Sequence, residues 1–468
     1  MTSDFVEIDA ACQAFVDKEN IPGVVSGIVQ EDRLVHVTAL GLADREAGRA
    51  VTRATAFRIA SMTKSVTALA ILALRDRGKL ALDAPLATYI PQFAEVKPAT
   101  RDSAPVTVRH LLTHTAGFVT DDPWGDRVLG MPPGELDALI ATGTLFARPP
   151  GLAFEYSNLG YALLGRVLTN VSGEPYQSFV RRTLQAPLGM TRTTFDAPAA
   201  SRGDFAFPYR CDDDVYTRER LEPDGEVGAM GGLATTADDY ARYIAFLLAA
   251  WPARDDPESG PVRRASVREM VLFHAPPSQP DPIDGKPGPA SAYGYGLVDS
   301  DDKTLGRRLH HSGGLPGYGS HMLFLPDARV GVFAFGNRTY APMSRLTVKI
   351  AEMYCAARPK AEARTPSPWL RRAIDGVVAA YAVGNIEKAG TPFAVNFLLD
   401  TPPKLRDAEL AKLKQRLGEA TLSSIEPTHA LAGKFTLACE RGHLSGTVVL
   451  SPDAEPGIQK LTFSLQIE

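Results

Sequence analysis

Apolar positions recur at three- and four-residue steps at the start of the chain, at Phe5, Ile8, Cys12 and Phe15. That is the period of a helix with one buried face. The pattern then shortens. Residues 24–29 and 34–40 read as strands, and Glu31-Asp32-Arg33 between them predicts a hairpin. Residues 61–77 predict a helix that Gly78 closes as a C-terminal cap. A mostly helical middle follows, with segments 107–113, 159–171, 176–184 and 237–248. Thr235-Thr236 stands just ahead of the last of these, where a capping hydroxyl belongs. Strand character returns at 307–311, 321–325 and 330–335. The order is strands, a long helical insertion, then strands again. It predicts an α/β body, an antiparallel sheet flanked by helices with a helical subdomain.

Two stretches interrupt this body. The proline- and glycine-rich segment 276–289, which carries Asp281 and Asp284, reads as a long surface loop within it. From Ala357 to Pro368 the chain is polar and proline-spaced, as an extended connector is. The expected organisation is therefore 1–357 as the main domain, 358–368 as linker and 369–468 as a small accessory domain. In that last piece, 369–383 and 405–417 read as helices, and 393–399, 433–439, 444–450 and 461–467 as strands. A small C-terminal α+β domain is expected.

Composition narrows the function classes. Of 468 residues, 44% are hydrophobic and 22% charged, which is ordinary globular usage and excludes wholesale disorder. The formal charge is −4 and no Lys/Arg block stands out, so nucleic acid and anionic membrane surfaces are not expected partners. No apolar run reaches the roughly 18 residues of a membrane span. Cys12, Cys211, Cys355 and Cys439 are too dispersed for a zinc ribbon or a redox pair. Met1-Thr2-Ser3-Asp4 has no signal-peptide character. As the sequence stands a cytoplasmic location is expected, and a periplasmic or secreted one if a signal peptide has been removed.

The familiar catalytic signatures are missing: no Gly-x-Ser-x-Gly, no phosphate loop, no Gly-x-Gly-x-x-Gly, no His-Glu-x-x-His. His110 and His114 are four apart and could share a metal. No third ligand accompanies them, so they read as helix-end histidines bonded to backbone, and neither metal nor cofactor is expected. What remains is Ser61-Met62-Thr63-Lys64. Positions i and i+3 share a helix face, so the lysine amine lies beside the serine hydroxyl. A lysine held neutral by desolvation can take the proton of an otherwise weak serine nucleophile. A second Ser-x-x-Lys, Ser300 to Lys303, sits in an acidic stretch read as a turn, with no helix to align its ends. Two more motifs join the first. Tyr156-Ser157-Asn158 follows the turn-forming Pro149-Pro150-Gly151, and His311-Ser312-Gly313 lies on an expected strand and is followed by Gly314. Taken singly, these read as a loop tyrosine with a capping Asn, and as a histidine at a strand end before a glycine turn.

Together, in this order and at these separations, the three motifs resemble the serine β-lactamase and penicillin-binding-protein superfamily, in its class C-like branch. That branch also holds D-aminopeptidases, DD-peptidases and family VIII esterases. Phe57-Arg58-Ile59-Ala60, His110-Leu111-Leu112-Thr113-His114-Thr115-Ala116-Gly117 and Met230-Gly231-Gly232-Leu233 carry the likeness too, over about residues 5 to 355. The resemblance implies that Ser61 is the acylated nucleophile and Lys64 its activating partner. It makes Tyr156 the proton relay to the leaving group and Asn158 the amide that orients Lys64 and the substrate. His311, Ser312, Gly313 and Gly314 would line the substrate and oxyanion site, with the backbone N–H groups of Ser61 and Gly314 as donors. His311 departs from the lysine that many β-lactamases of this type carry. Histidine is largely neutral at pH 7, which weakens the case for an acidic β-lactam and favours neutral esters. The expected function is a serine hydrolase acting through an acyl-enzyme, foremost a carboxylesterase on small neutral esters. D-amino-acid peptidase or amidase, DD-peptidase, weak β-lactamase and acyl transfer are the alternatives, and a silent sensor of peptidoglycan fragments or β-lactams is the non-enzymatic one. The expected partner is a small-molecule ester or amide, with a homodimer as candidate assembly.

Overall fold

The computed structural model describes residues 2–122, 124–200, 203–272, 274–275, 290–358 and 365–466. The whole of the expected loop 276–289 and part of the expected linker lie outside them. The chain forms two compact units, 1–360 and 361–468.

The first unit opens with α1 (Thr2–Lys18), the hairpin of β1 (Gly23–Gln30) and β2 (Arg33–Asp44), and the short strands β3 (Arg49–Ala50) and β4 (Phe57–Arg58). A 3₁₀ turn, Ala60–Met62, runs into α2 (Thr63–Asp76). The helical insertion holds α3 (Val108–Leu112), α4 (Pro133–Thr142), α5 (Asn158–Ser172), α6 (Tyr176–Val180) and α7 (Ala197–Ala200). After it come β5 (Tyr209–Asp212), β6 (Val215–Arg218), β7 (Ala234–Thr235), α8 (Ala237–Leu248) and α9 (Arg264–Glu269). The unit finishes with β8 (Ser291–Tyr293), β9 (Val298–Asp302), β10 (Gly306–Leu315), β11 (Tyr318–Leu325), β12 (Val330–Gly336) and α10 (Met343–Ala356).

One eight-stranded antiparallel sheet, in the order β3-β2-β1-β12-β11-β10-β9-β8, is the frame. The first strands of the chain join the last ones through the β1–β12 ladder, with Val25 opposite Phe335. β11 and β12 are buried along their whole length, because helices cover both faces of the sheet centre. Successive side chains of a strand point to opposite faces. Val24 and Ile28 of β1 accordingly pack with Ile8 and Cys12 of α1 and Leu346 and Ile350 of α10. Val25 and Val29 enter the larger core with α2, α5 and α8. That larger core is what seats the start of α2 beneath the sheet. Of the second Ser-x-x-Lys, Ser300 to Asp302 lie on β9 and only Lys303 in the turn after it, and the Ser300 hydroxyl accepts a hydrogen bond from Arg308 at 2.9 Å.

The second unit contains α11 (Pro368–Val383), α12 (Val395–Asp400), α13 (Pro403–Leu417) and the strands β13 (Ala420–His429), β14 (Ala432–Cys439), β15 (Gly442–Leu450) and β16 (Ile458–Gln466). The strands form an antiparallel meander in sequence order, and Leu370, Ile374 and Val377 of α11 pack on Phe435, Leu437, Leu444 and Val448. Ser367, inside the expected linker, caps α11 by accepting from Leu370 N–H at 3.1 Å. Residues 393–399 do not form the expected strand. Phe393 makes one bridge to Ile458, and the chain then turns into α12, in which only Phe397 is buried. A short apolar run does not distinguish the two periods, and Val395 and Leu399 point outward here. β13 is an edge strand with no counterpart among the expected elements. Its polar residues, two register shifts and Pro427 mask it, and an edge position is where a strand tolerates proline.

Candidate active site

Ser61 lies in the 3₁₀ turn that feeds α2, and Ala60 before it has φ +48°, a left-handed conformation that costs energy in a residue with a side chain. Three contacts hold that turn. Ile59 N–H donates to Leu233 O at 3.0 Å, in line with the β4–β7 pairing. The Ser320 hydroxyl on β11 donates to Ile59 O at 2.7 Å. On β10, a Cβ added to Gly313 would sit 2.4 Å from Ile59 O and 3.0 Å from the Ala60 Cβ. Only a glycine lets the strand lie this close to the turn.

Lys64, one turn into the helix, is fully buried. Its Nζ lies 3.0 Å from Ser61 Oγ, 2.7 Å from Asn158 Oδ1 and 3.0 Å from the Met230 carbonyl oxygen. Thr67 fixes the neighbouring carbonyl of Ala229 at 2.6 Å, and the buried Arg58 fixes that of Gly232 at 3.0 Å. The segment that presents Met230 is therefore tied down on both sides. An ammonium has three N–H donors and matches these three oxygens. A neutral amine has two, which Asn158 and Met230 absorb, so its lone pair is left aimed at Ser61. Burial lowers the Lys64 pKa to about 8, against the opposing pull of Asp122, Asp126 and Asp121. The Tyr156 phenol moves the other way. Burial and then Asp122 push its pKa well above the ordinary value, and interaction with the Ser61 hydroxyl draws it part of the way back. The geometry thus pairs a lysine ready to accept a proton with a tyrosine that keeps its own.

Tyr156 and Asn158 are delivered by the start of α5. Ser157 is the N-cap and accepts from Gly160 N–H at 3.2 Å, and Asp121 accepts from the N–H groups of Asn158 at 2.6 Å and Leu159 at 2.7 Å. Carboxylates are favoured at this end of a helix. His114 accepts from Ser157 N–H at 3.1 Å and packs against the Tyr156 ring, tilted by 33° with centroids 4.2 Å apart. His110 likewise accepts from Thr107 N–H at 3.2 Å. Among the described residues no group of three His, Cys, Asp or Glu could hold a metal ion.

His311 on β10 places Nδ1 2.5 Å from Ser312 O and Nε2 2.9 Å from the Tyr293 hydroxyl. A carbonyl can only accept, so Nδ1 carries the hydrogen and Nε2 accepts from Tyr293. Both ring nitrogens are thus engaged inside the protein, where the sequence reading has the ring facing substrate. Burial and the nearby Lys64 lower its pKa to about 3, so the ring is neutral. Ser312 is exposed, and Gly314 faces Tyr340, whose ring atom Cδ1 lies 2.6 Å from where a Cβ would stand. The Tyr340 hydroxyl in turn donates to Asp126 at 2.9 Å.

Ser61, Lys64, Tyr156 and Asn158 therefore converge, with Gly313 against the Ser61 turn and His311 within electrostatic reach of Lys64. Profile comparison matches residues 8–353 to the beta-lactamase family. The chain belongs to the beta-lactamase family. Within it, an uncharacterized protein of Mycobacterium tuberculosis is 32% identical over 51% of this chain, and the match spans 65% of that relative's own length. Esterase EstB of Burkholderia gladioli is 30% identical over 72% of this chain and 91% of its own. Among solved structures, the octameric penicillin-binding protein homologue from Pyrococcus abyssi superposes with a TM-score of 0.65 at 21% identity, over 99% of this chain and 98% of its own. The hydrolase EstCE1, described as having promiscuous acyltransferase activity, gives 0.63 at 23% identity over 75% of this chain and 99% of its own. At these identities the structural likenesses speak for the fold, across both units in the Pyrococcus case.

Several groups in the site carried no motif of their own. Asp121 and Asp122 are two acids in a loop, Tyr293 ends the short strand β8, and Met230 contributes through its backbone. For Met230 a signal did exist, the Met230-Gly231-Gly232-Leu233 phrase.

Proposed function

We propose that this beta-lactamase-family protein is a serine hydrolase that works through an acyl-enzyme, and that it is a carboxylesterase on small neutral esters. The observation that carries this is the buried Lys64 Nζ, 3.0 Å from Ser61 Oγ, with its two other acceptors in place. In the proposed cycle the Ser61 proton passes to neutral Lys64 as Oγ attacks the ester carbonyl. The oxyanion is taken by the N–H groups of Ser61 and Gly314, donors that are typically worth about 10²–10³ in rate each. The proton then reaches the departing alkoxide through Tyr156, leaving the acyl group on Ser61. Water enters by the reverse path and releases the acid. A neutral His311 with both nitrogens engaged supplies no cation for a substrate carboxylate, which ranks neutral esters above β-lactams. The kinship to EstB supports the same ranking.

The test uses intact-mass spectrometry and a substrate panel. A fluorophosphonate should add one label that Ser61→Ala removes, and labelling that survives the substitution would falsify the assignment of the nucleophile. Short p-nitrophenyl esters should be turned over with kcat/KM well above nitrocefin and D-amino-acid p-nitroanilides. Faster turnover of nitrocefin or of an anilide would hand the primary activity to β-lactam hydrolysis or to a peptidase.

A further inference from the structure

We infer that Asp122 is a positioning residue of this site, whose carboxylate locks the Asn158 amide with its oxygen toward Lys64. The inference rests on the proposed role of Lys64 as the base. Asn158 Nδ2 donates to Asp122 Oδ1, while Asn158 Oδ1 accepts from Lys64 Nζ at 2.7 Å. The two ends of an amide are nearly the same shape, so packing alone does not choose between its orientations. A carboxylate only accepts. Turning the amide over would set its oxygen against the Asp122 carboxylate and its NH₂ against the Lys64 amine, two repulsive contacts in place of two bonds.

Three carboxylates act on Lys64, and they are not equivalent. Asp121 is occupied by the backbone N–H groups at the start of α5, and Asp126 by the Tyr340 hydroxyl. Asp122 is bonded to the group that touches Lys64. Its loop is moulded to that purpose, for a Cβ on Gly125 would lie 2.7 Å from the Asn158 Cβ. The remaining neighbours of the lysine bring no charge. They are Ser61, the Met230 carbonyl, the rings of Tyr156 and Tyr161, and His114 and His311, both held neutral by burial. The ease with which Lys64 yields its proton is thus set first by its burial and then, in the opposite sense, by the carboxylates, Asp122 foremost.

The experiment needs no knowledge of the natural substrate. The rate of fluorophosphonate labelling is measured against pH for the full chain, for Asp122→Asn and for Asp122→Leu. Asp122→Asn keeps the shape and an acceptor oxygen but removes the charge. Its acid limb should move to lower pH by about one unit. Asp122→Leu removes charge and acceptor together and should label about 10²-fold more slowly at every pH, as a misplaced amide does. A residue that merely supports the loop would leave the limb of Asp122→Asn where the wild type has it, and that result overturns the inference, as does wild-type labelling speed in Asp122→Leu. Labelling that persists in Ser61→Ala overturns the hydrolase reading as well. Labelling at Ser61 with an unmoved limb overturns the Asp122 inference alone.

Discussion

A side chain's chemistry here is set by how many partners it has. Burial from solvent lowers the cost of losing the Lys64 proton, and of the three fixed oxygens around Nζ two hold the neutral amine so that its lone pair is directed at Ser61. Because burial brings its pKa to about 8, kcat/KM on a neutral ester should climb as pH rises and level off above about 8. A profile flat through neutral pH would remove Lys64 from the role of base. Tyr156 lies beside Lys64, with Nζ 4.9 Å from the ring centroid. The two should fail as a unit: Lys64→Ala and Tyr156→Phe each lowering kcat by several orders of magnitude, and the double variant losing little more. Fully additive losses, with circular dichroism unchanged, would show independent roles. Ser61, Lys64 and Tyr156, which the structure brings together, stood out in the sequence through their motifs, since each motif fixes local spacing. Asp122 and Tyr293 were not, because each acts through a partner far away in the chain.

At the scale of elements, the site depends on β10 lying flat against the turn before α2. Gly313→Ala would push a methyl into Ser320 Oγ at 2.3 Å and Ile59 O at 2.4 Å, both atoms of the nucleophile's support. The expected result is a stability loss of about 1–3 kcal/mol and a kcat drop of about 10²-fold, seen in denaturant unfolding and steady-state kinetics. The β8–β10 side of the sheet is tied by the bond between the Tyr293 hydroxyl and His311 Nε2 at 2.9 Å. Tyr293→Phe leaves that nitrogen buried without a donor and should cost about 1–3 kcal/mol. An unchanged unfolding midpoint would mean that water or another group takes the place of the hydroxyl. Elements with a strong period, such as α2 and α8, matched their expected bounds closely, whereas α12 and β13 did not. The apolar face of the first pair is buried against the main core, while α12 leaves Val395 and Leu399 exposed and the apolar residues of β13 are only part-buried at the edge of a small sheet.

For the whole molecule, folding stores neutral imidazoles. His114, His311 and His321 are 2%, 5% and 3% exposed, and burial lowers the pKa of each below 6.5, that of His311 to about 3. The unfolded chain therefore takes up protons first as pH falls below about 6.5, so stability is fully present above that value and is lost through the window beneath it. Asp126 and Asp224, raised to about 6 by burial, act in the opposite sense and recover part of the loss below pH 6. Unfolding free energy should fall between pH 7 and 5, because these rings and His310, which burial also lowers to about 3, outweigh the two carboxyls that offset them. A chain equally stable at both values would contradict neutral burial of these rings. The sequence by itself carried the three motifs whose resemblance gives the family, and the periods of the strong helices and strands, since motif and element spacing are local to the chain. Tertiary structure alone decided the third acceptor of Lys64, the Asp122–Asn158 bond, the inward engagement of His311 and the depth to which the histidines are buried. Each of these requires segments far apart in sequence to meet at hydrogen-bond distance, and that meeting is set by how the sheet and its helices pack.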